Sequence, residues 1–140
     1  LRALRDLDGP GLAAFSRDAL VSEGNLSAER AATFPVVRVD DDGYLKALLE
    51  PSDAAPAPPG ADTLVSMNCW LFSPGIFRAA RVIAPAKSGE LELPDAVRYA
   101  ATHLGERMRV LPFRAPVLDL TSRGDVAQVT ARLAGVSIRL

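Results

Sequence analysis

The sequence predicts an α/β domain. Some segments carry apolar residues at helical spacing, others are short apolar runs, and the two kinds alternate along the chain. With 140 residues, 49% of them hydrophobic and 24% charged, the chain has the size and composition of one ordinary globular unit. We therefore treat residues 1–140 as a single domain.

Composition also excludes several classes of function. A formal net charge of -1 gives no field that attracts polyanions, so nucleic acid is not expected as a partner. No apolar run approaches the roughly 20 residues that span a bilayer. Because Cys69 is the only cysteine and His103 the only histidine, a structural zinc site and an internal disulfide are excluded. A reducing, cytoplasmic setting is expected.

The first elements are a helix and a strand. Leu1, Leu4 and Leu7 stand at helical spacing with no capping residue before them, which indicates that the chain starts inside a helix. A preceding part of the protein is therefore expected to be missing. After the break at residues 9–11, residues 12–15 are typical of a buried strand.

A short helical turn, a hairpin and a loop are expected next. Residues 25–32 could form the turn, and residues 34–39 and 44–49 form a hairpin in which Gly43 supplies the positive φ. Residues 51–60 are rich in proline and alanine, so they are expected to form a surface loop.

Residues 64–72 are almost continuously apolar, as in a strand covered on both faces within a mostly parallel sheet. Ser73 and Pro74 then suit the start of a helix. The inner stripe of that helix is expected to consist of Ile76, Phe77, Ala80 and Ile83.

The last third of the chain continues the alternation. A helix starts at Pro94 and ends before Gly105, and residues 110–113 and 117–120 are predicted to be strands. The expected final element is an amphipathic helix ending at Gly135, with an approximate capping box formed by Ser122 and Asp125.

Familiar catalytic motifs are absent, so the candidate site residues are polar residues in unusual places. Asn68 lies inside an apolar strand, where a buried amide needs a partner. Asp119 lies at the C-terminal end of a predicted short strand, where α/β sheets place ligand-binding residues, and its carboxylate could hold Mg²⁺. Glu50 ends the second hairpin strand. From the residues alone, each has a structural alternative. Asn68 would be a core amide bonded to the backbone, Asp119 a cap of the turn that follows it, and Glu50 an exposed charge at a strand end.

Four segments in order resemble the sugar-phosphate nucleotidylyltransferases, also called nucleotide-sugar pyrophosphorylases. They are Asp42-Gly43-Tyr44-Leu45 running to Glu50-Pro51, then residues 65–77 (VSMNCWLFSPGIF), residues 89–96 (GELELPDA) and residues 118–121 (LDLT). The resemblance implies a Rossmann-like nucleotide-diphospho-sugar transferase fold, of which residues 1–140 are the C-terminal, sugar-binding part.

The resemblance also implies an activity. In that family a nucleoside triphosphate reacts with a sugar 1-phosphate to give a nucleotide sugar and pyrophosphate, with Mg²⁺ offsetting the charge. Glu50 and Asn68 match sugar-contacting positions, and Asp119 matches a magnesium ligand. The partners would be the two substrates and the missing N-terminal half of the same protein, and a homo-oligomer is compatible with the resemblance.

Two departures from the family pattern keep other interpretations open. The triphosphate-binding segments lie upstream of Leu1, so the chain alone is expected to be inactive. Where the family has Glu-Lys-Pro, this chain has Glu50-Pro51-Ser52, with Lys46 or Lys87 as conceivable substitutes. The alternatives are an inactive module that binds sugar phosphates or nucleotide sugars, and a structural or interaction domain.

Overall fold

A computed structural model describes residues 2–55, 62–86 and 89–136. Over these ranges helices and strands alternate, which confirms the α/β class. The helices are α1 (Arg2–Arg5), α2 (Arg17–Ser22), α3 (Ala28–Ala31), α4 (Gly75–Ala80), α5 (Leu93–His103) and α6 (Asp125–Leu133), with a 3-10 turn at Pro51–Asp53. The strands are β1 (Gly11–Ser16), β2 (Val36–Val39), β3 (Leu45–Leu49), β4 (Leu64–Leu71) and β5 (Arg109–Phe113).

The five strands form one mixed sheet in the order β3-β2-β4-β1-β5. Only β1 and β5 pair in parallel; the β1–β4, β2–β3 and β2–β4 pairs are antiparallel. The prediction of a mostly parallel sheet is therefore wrong. The apolar run that suggested it belongs to β4, whose second half is only partly buried, so the run did not signal a strand covered on both faces.

The two edge strands of the sheet meet at one end. Leu45 N donates to Met108 O at 2.8 Å, and Val110 N donates to Gly43 O at 3.0 Å. The guanidinium groups of Arg107 and Arg109 lie 3.9 and 4.2 Å from the centroid of the Tyr44 ring, within the range of cation–π attraction. The sheet thus closes partly on itself at this end.

Hydrophobic clusters cover the sheet. Helices α4 and α5 pack their apolar residues together with Trp70 of β4 and Leu45 of β3. A separate cluster joins α2 to β4 and to the segment after β5; its members are Leu20, Leu26 and Val65, with Phe15, Phe34, Met67 and Val117 packed against them. Two of its residues, Met67 and Val117, are near neighbours in sequence of the candidate site residues Asn68 and Asp119.

The hairpin, the helix beginning near Pro94 and the helix after Ser122 are confirmed. Two further predictions are wrong: residues 117–120 form no strand, and Phe77 is 70% exposed instead of facing the core. The buried face of α4 carries Ile76 and Ala79, with Ile83 packed against the same cluster, and Phe77, one residue after Ile76, is rotated about 100° away from that face. In the part of the chain that the structure describes, no helix has both the length and the apolar character needed to cross a bilayer.

Candidate functional site

Asn68 lies on a bulge of β4, which we call the β4 bulge (residues 67–69). Leu12 pairs with Trp70 and Ala14 with Ser66, so one residue of β1 lies opposite three residues of β4. Asn68 has φ 54°, and asparagine is among the few residues that adopt this left-handed conformation readily. The expectation of a buried amide is wrong: the bulge turns Asn68 outward, and the residue is exposed.

The regular part of β4 holds the bulge in place. Ser66 is 2% exposed; its N–H donates to Pro35 O at 2.9 Å, and its Oγ accepts from Asn68 N at 3.3 Å. Since β2 begins at Val36, no described strand borders β4 on that side beyond Ser66. On its β2 side the β4 bulge therefore has no neighbouring strand among the described residues, and the Asn68 side chain is exposed there.

Glu50 directly follows β3 and is exposed. Its carbonyl accepts from Asp53 N at 2.9 Å, while its carboxylate caps nothing in the 3-10 turn that follows. Val36 pairs with both Leu49 and Val65, so β3 and β4 run in the same direction on either side of β2. Glu50 and Asn68 both come after the residues that pair with Val36, so they lie toward the same end of the sheet. The strands that carry them are separated by two strand spacings of about 5 Å each.

Asp119 lies in a loop, which we call the Asp119 loop (residues 117–121). Its Oδ2 forms an ion pair with Arg30 Nη2 at 2.7 Å, and its Oδ1 accepts from Thr121 Oγ1 at 3.0 Å. The Asn25 amide donates to Asp119 O and accepts from Asp119 N, both at 2.8 Å. Arg30 also donates to Thr121 Oγ1. These bonds hold the loop against Asn25, in the connection between α2 and α3, and against Arg30 of α3.

This geometry does not fit a magnesium site. Each carboxylate oxygen of Asp119 already accepts a hydrogen bond from the chain, and the Arg30 cation disfavours a second cation beside it. Among the described residues, no group of three or more His, Cys, Asp or Glu side chains could hold a metal ion. The assignment of Mg²⁺ to Asp119 stays a prediction, and the contacts of this carboxylate are those of a structural residue.

A second carboxylate fixes the end of the same segment. Asp125 Oδ2 accepts from Ser122 N at 2.7 Å, Thr121 N at 3.1 Å and Ser122 Oγ at 3.0 Å. These bonds, first of all that from the Ser122 N–H, lower the pKa of Asp125 below its ordinary value. Half of the predicted approximate capping box is thereby confirmed: the Ser122 N–H donates to Asp125, whereas Ser122 Oγ donates to the same carboxylate and does not accept the Asp125 N–H.

The structure does not bring the three candidates into one cluster. No hydrogen bond or ion pair joins Glu50, Asn68 and Asp119 to one another within the described ranges. Of the conceivable substitutes for the missing lysine, Lys46 is exposed on β3, whereas Lys87 lies outside the described residues. Glu50 and Asn68 lie toward the same end of the sheet, and Asp119 belongs to a separate loop with its own hydrogen bonds.

Sequence reasoning missed the polar residues where β1 and β5 end. Ser16 caps α2 by accepting from Ala19 N at 3.1 Å, and Arg17 and Arg114 line one cavity beside it. The available signal was the Ser16-Arg17-Asp18 sequence directly after the apolar strand of β1. Polar residues at that position of a strand are candidates for ligand contact.

Two curated proteins match part of the chain. The low-salt glycan biosynthesis nucleotidyltransferase Agl11 of Haloferax volcanii is 33% identical over 70 residues, which are 50% of this chain and 18% of that protein. A glucose-1-phosphate thymidylyltransferase of Streptomyces griseus is 39% identical over 67 residues, 48% of this chain and 18% of that protein. No protein-family model matches. The chain is thus similar to nucleotidyltransferases, as the segment order predicts, and the matched stretch spans under a fifth of each relative.

Proposed function

We propose that the chain is the sugar-binding part of an enzyme that transfers a nucleotidyl group from a nucleoside triphosphate to a sugar 1-phosphate. The observation that carries this proposal is that both matched proteins are nucleotidyltransferases by name, and one name specifies glucose 1-phosphate. The exposed Asn68 side chain on the β4 bulge supports it from the geometry.

In this proposal Glu50 and Asn68 recognise the sugar. The carboxylate of Glu50 accepts hydrogen bonds from sugar hydroxyls, and the amide of Asn68 both donates and accepts. Removing one such partner from a bound hydroxyl typically costs about 1–3 kcal/mol. Because the β4 bulge fixes the backbone at Asn68, binding has to order only the side chain.

The chemistry is an in-line displacement at phosphorus. A phosphate oxygen of the sugar 1-phosphate forms a bond to the α-phosphorus of the triphosphate, the bond from that phosphorus to the β-phosphate breaks, and pyrophosphate leaves. Enzymes of this kind act mainly by positioning and charge stabilisation. We assign the triphosphate site to other parts of the complete protein, and no step to a metal held by Asp119.

An inactive module that binds sugar phosphates is the second candidate. It is favoured by Pro51, which stands where the resemblance calls for lysine, and by the ion pair that occupies Asp119. Such a module would still bind a sugar phosphate at Glu50 and Asn68 but would release no pyrophosphate. For either function we propose a cytoplasmic location, in keeping with the unpaired Cys69.

Pyrophosphate release tests the proposal. The complete protein that carries this chain is assayed with Mg²⁺, a panel of nucleoside triphosphates and a panel of sugar 1-phosphates, and the isolated 140-residue chain is assayed beside it. We expect sustained, sugar-dependent release from the complete protein and none from the isolated chain. No release from the complete protein with any pair, alongside measurable sugar phosphate binding, would establish the inactive module instead.

A further inference from the structure

An open groove beside α4, which we call the α4 groove, has no role in the proposed function. Its volume is about 460 Å³. Ser73 is the one polar residue that lines it, and its Oγ already donates to Glu106 Oε1 at 2.6 Å and accepts from Gly75 N at 3.0 Å. The α4 groove therefore suits an apolar occupant. The rest of its lining is Phe72, Pro74, Ile76, Phe77, Ala80 and Leu93.

Apolar side chains are exposed on both walls of the α4 groove. Phe77, on the α4 wall, is 70% exposed, and Leu91 and Leu93, at the start of α5, are 57% and 37% exposed. Helices α4 and α5 pack together in one hydrophobic cluster, so the two walls belong to one surface. Exposed apolar side chains that line a common groove mark a surface for interaction with another macromolecule.

The two walls carry opposite charges. Arg78 and Arg81 are exposed on α4 and at its C-terminal cap, and α4 has no acidic residue. Glu90 and Glu92 are exposed just before α5, and residues 89–92 include no basic residue. A partner of uniform charge would be attracted by one wall and repelled by the other. A partner that fits both walls must itself present a cationic and an anionic side.

We infer that two copies of this chain associate through the α4 groove about a two-fold axis. An axis that runs along the groove brings the α4 wall of each copy against the α5 wall of the other, so the surface is complementary to itself. Arg81 of one copy then faces Glu92 of the second copy, and this contact occurs twice. Phe77 of each copy enters the groove of the other as the aromatic anchor. Association of this kind goes beyond the proposed function, because it requires neither substrate nor turnover.

The first test measures association by sedimentation equilibrium, with Phe77→Asp and, as a matched control, Val126→Asp. Val126 of α6 is 49% exposed and does not line the α4 groove. We expect the wild type and Val126→Asp to associate equally, and Phe77→Asp to raise the dissociation constant at least about tenfold at an unchanged Tm. A wild type that stays monomeric up to about 0.1 mM, or equal association of Phe77→Asp, would overturn the interface.

A charge exchange tests the two-fold arrangement. Arg81→Glu and Glu92→Arg each place like charges opposite one another at both symmetric contacts, so each variant alone should associate more weakly than the wild type. In a one-to-one mixture of the two variants, both contacts of a mixed pair join unlike charges, and association should recover. Glu92 makes no side-chain cap of α5, so its replacement removes no helix-capping bond. A mixture that associates no better than either variant alone would exclude this arrangement.

The same measurements on the complete protein and on the isolated 140-residue chain identify the occupant of the α4 groove. We expect Phe77→Asp to weaken association in both. If Phe77→Asp weakened association of the isolated chain but left the complete protein unchanged, another part of the complete protein would cover the groove, and association of two copies there would be refuted.

Discussion

The β4 bulge and the Asp119 loop carry polar residues that looked equivalent in the sequence, yet they differ in how those residues are used. Asn68 is exposed, and its backbone N–H donates to Ser66 Oγ. Asp119, with a side chain 23% exposed, has its carboxylate and its peptide groups bonded to Arg30, Thr121 and Asn25. The first position is open to a ligand, whereas the second is occupied by the protein itself.

The comparison separates two ways in which a fold can use a polar residue. A bulge turns a side chain out of the strand, so the side chain remains free for recognition. A loop without ladder hydrogen bonds must satisfy its buried peptide groups by other means, and here a side-chain amide and an ion pair do so. Substitutions should therefore affect stability at the Asp119 loop and binding at the β4 bulge.

The largest effect on stability is expected from Gly24→Ala, beneath the Asp119 loop. An added Cβ would lie 2.3 Å from Leu20 O and 2.9 Å from Val117 O, and both are backbone atoms that cannot easily move. We expect a loss of about 1–3 kcal/mol in the free energy of unfolding, measured by urea denaturation.

Gly124→Ala is the matched control for that measurement. Its Cβ would meet only Ser122 Oγ, at an ordinary 3.5 Å. A similar small effect for both variants would mean that the Asp119 loop does not pack on Gly24 as described.

Asn25→Ala should be the next largest change. It removes the two 2.8 Å bonds to the backbone of Asp119 and leaves a part-buried N–H and carbonyl unpaired. We expect a loss of about 1–2 kcal/mol in unfolding free energy, measured in the same way. If Asn25→Ala were as stable as the wild type, the loop would not depend on this amide, and the contrast with Asn68 would fail.

Substitutions at Asn68 should affect stability according to backbone conformation alone. Because φ is 54°, Asn68→Gly is expected to change the unfolding free energy by less than about 0.5 kcal/mol, whereas Asn68→Val should cost about 1–2 kcal/mol. Thermal melts of both variants check this. A large loss in Asn68→Gly would show that the side chain is structural after all.

The smallest expected effect is a dependence on pH at the end of the Asp119 loop. The pKa of Asp125 is lowered in the folded chain by the Ser122 and Thr121 N–H groups. A lowered folded-state pKa means that the carboxylate stabilises the fold above the ordinary Asp pKa of about 4 and loses this contribution as pH falls through the folded value.

We therefore expect the free energies of unfolding of the wild type and Asp125→Asn, measured by denaturation between about pH 6 and pH 2, to differ at the upper pH and to become equal at the acid end. Parallel curves across the whole range would mean that Asp125 does not titrate differently in the folded state.

Much of the fold followed from the sequence because its signals are local. The hairpin around Gly43 and the helix after Pro94 depend on turn and capping chemistry within a few residues. The direction of β4 depends on pairing with distant strands, which an apolar run does not encode, so the sheet was predicted with the wrong pairing. Residues 117–120 are partly apolar, but Asp119 bonds to Asn25 and Arg30, about 90 residues earlier in the chain, and no local pattern indicates those partners.

In the candidate site, too, only features that depend on neighbouring residues could be predicted from the sequence. A polar residue inside an apolar segment singled out position 68, but the bulge that exposes it arises from the register between β1 and β4 and is not visible in the sequence. Glu50 was placed correctly at the end of a strand because hairpin boundaries are local. Arg17 was overlooked because the cavity that it lines with Arg114 exists only once the surrounding elements are folded.

The most direct test measures the steady-state kinetics of Asn68→Ala and Asp119→Asn side by side in the complete protein, with sugar 1-phosphate as the varied substrate. We expect Asn68→Ala to raise KM for the sugar phosphate about tenfold with little change in kcat, because it removes a binding contact. Asp119→Asn should lower Tm while leaving kcat and the Mg²⁺ dependence near those of the wild type. A loss of kcat by orders of magnitude in Asp119→Asn, with an unchanged Tm, would contradict the account and restore Asp119 as a metal ligand.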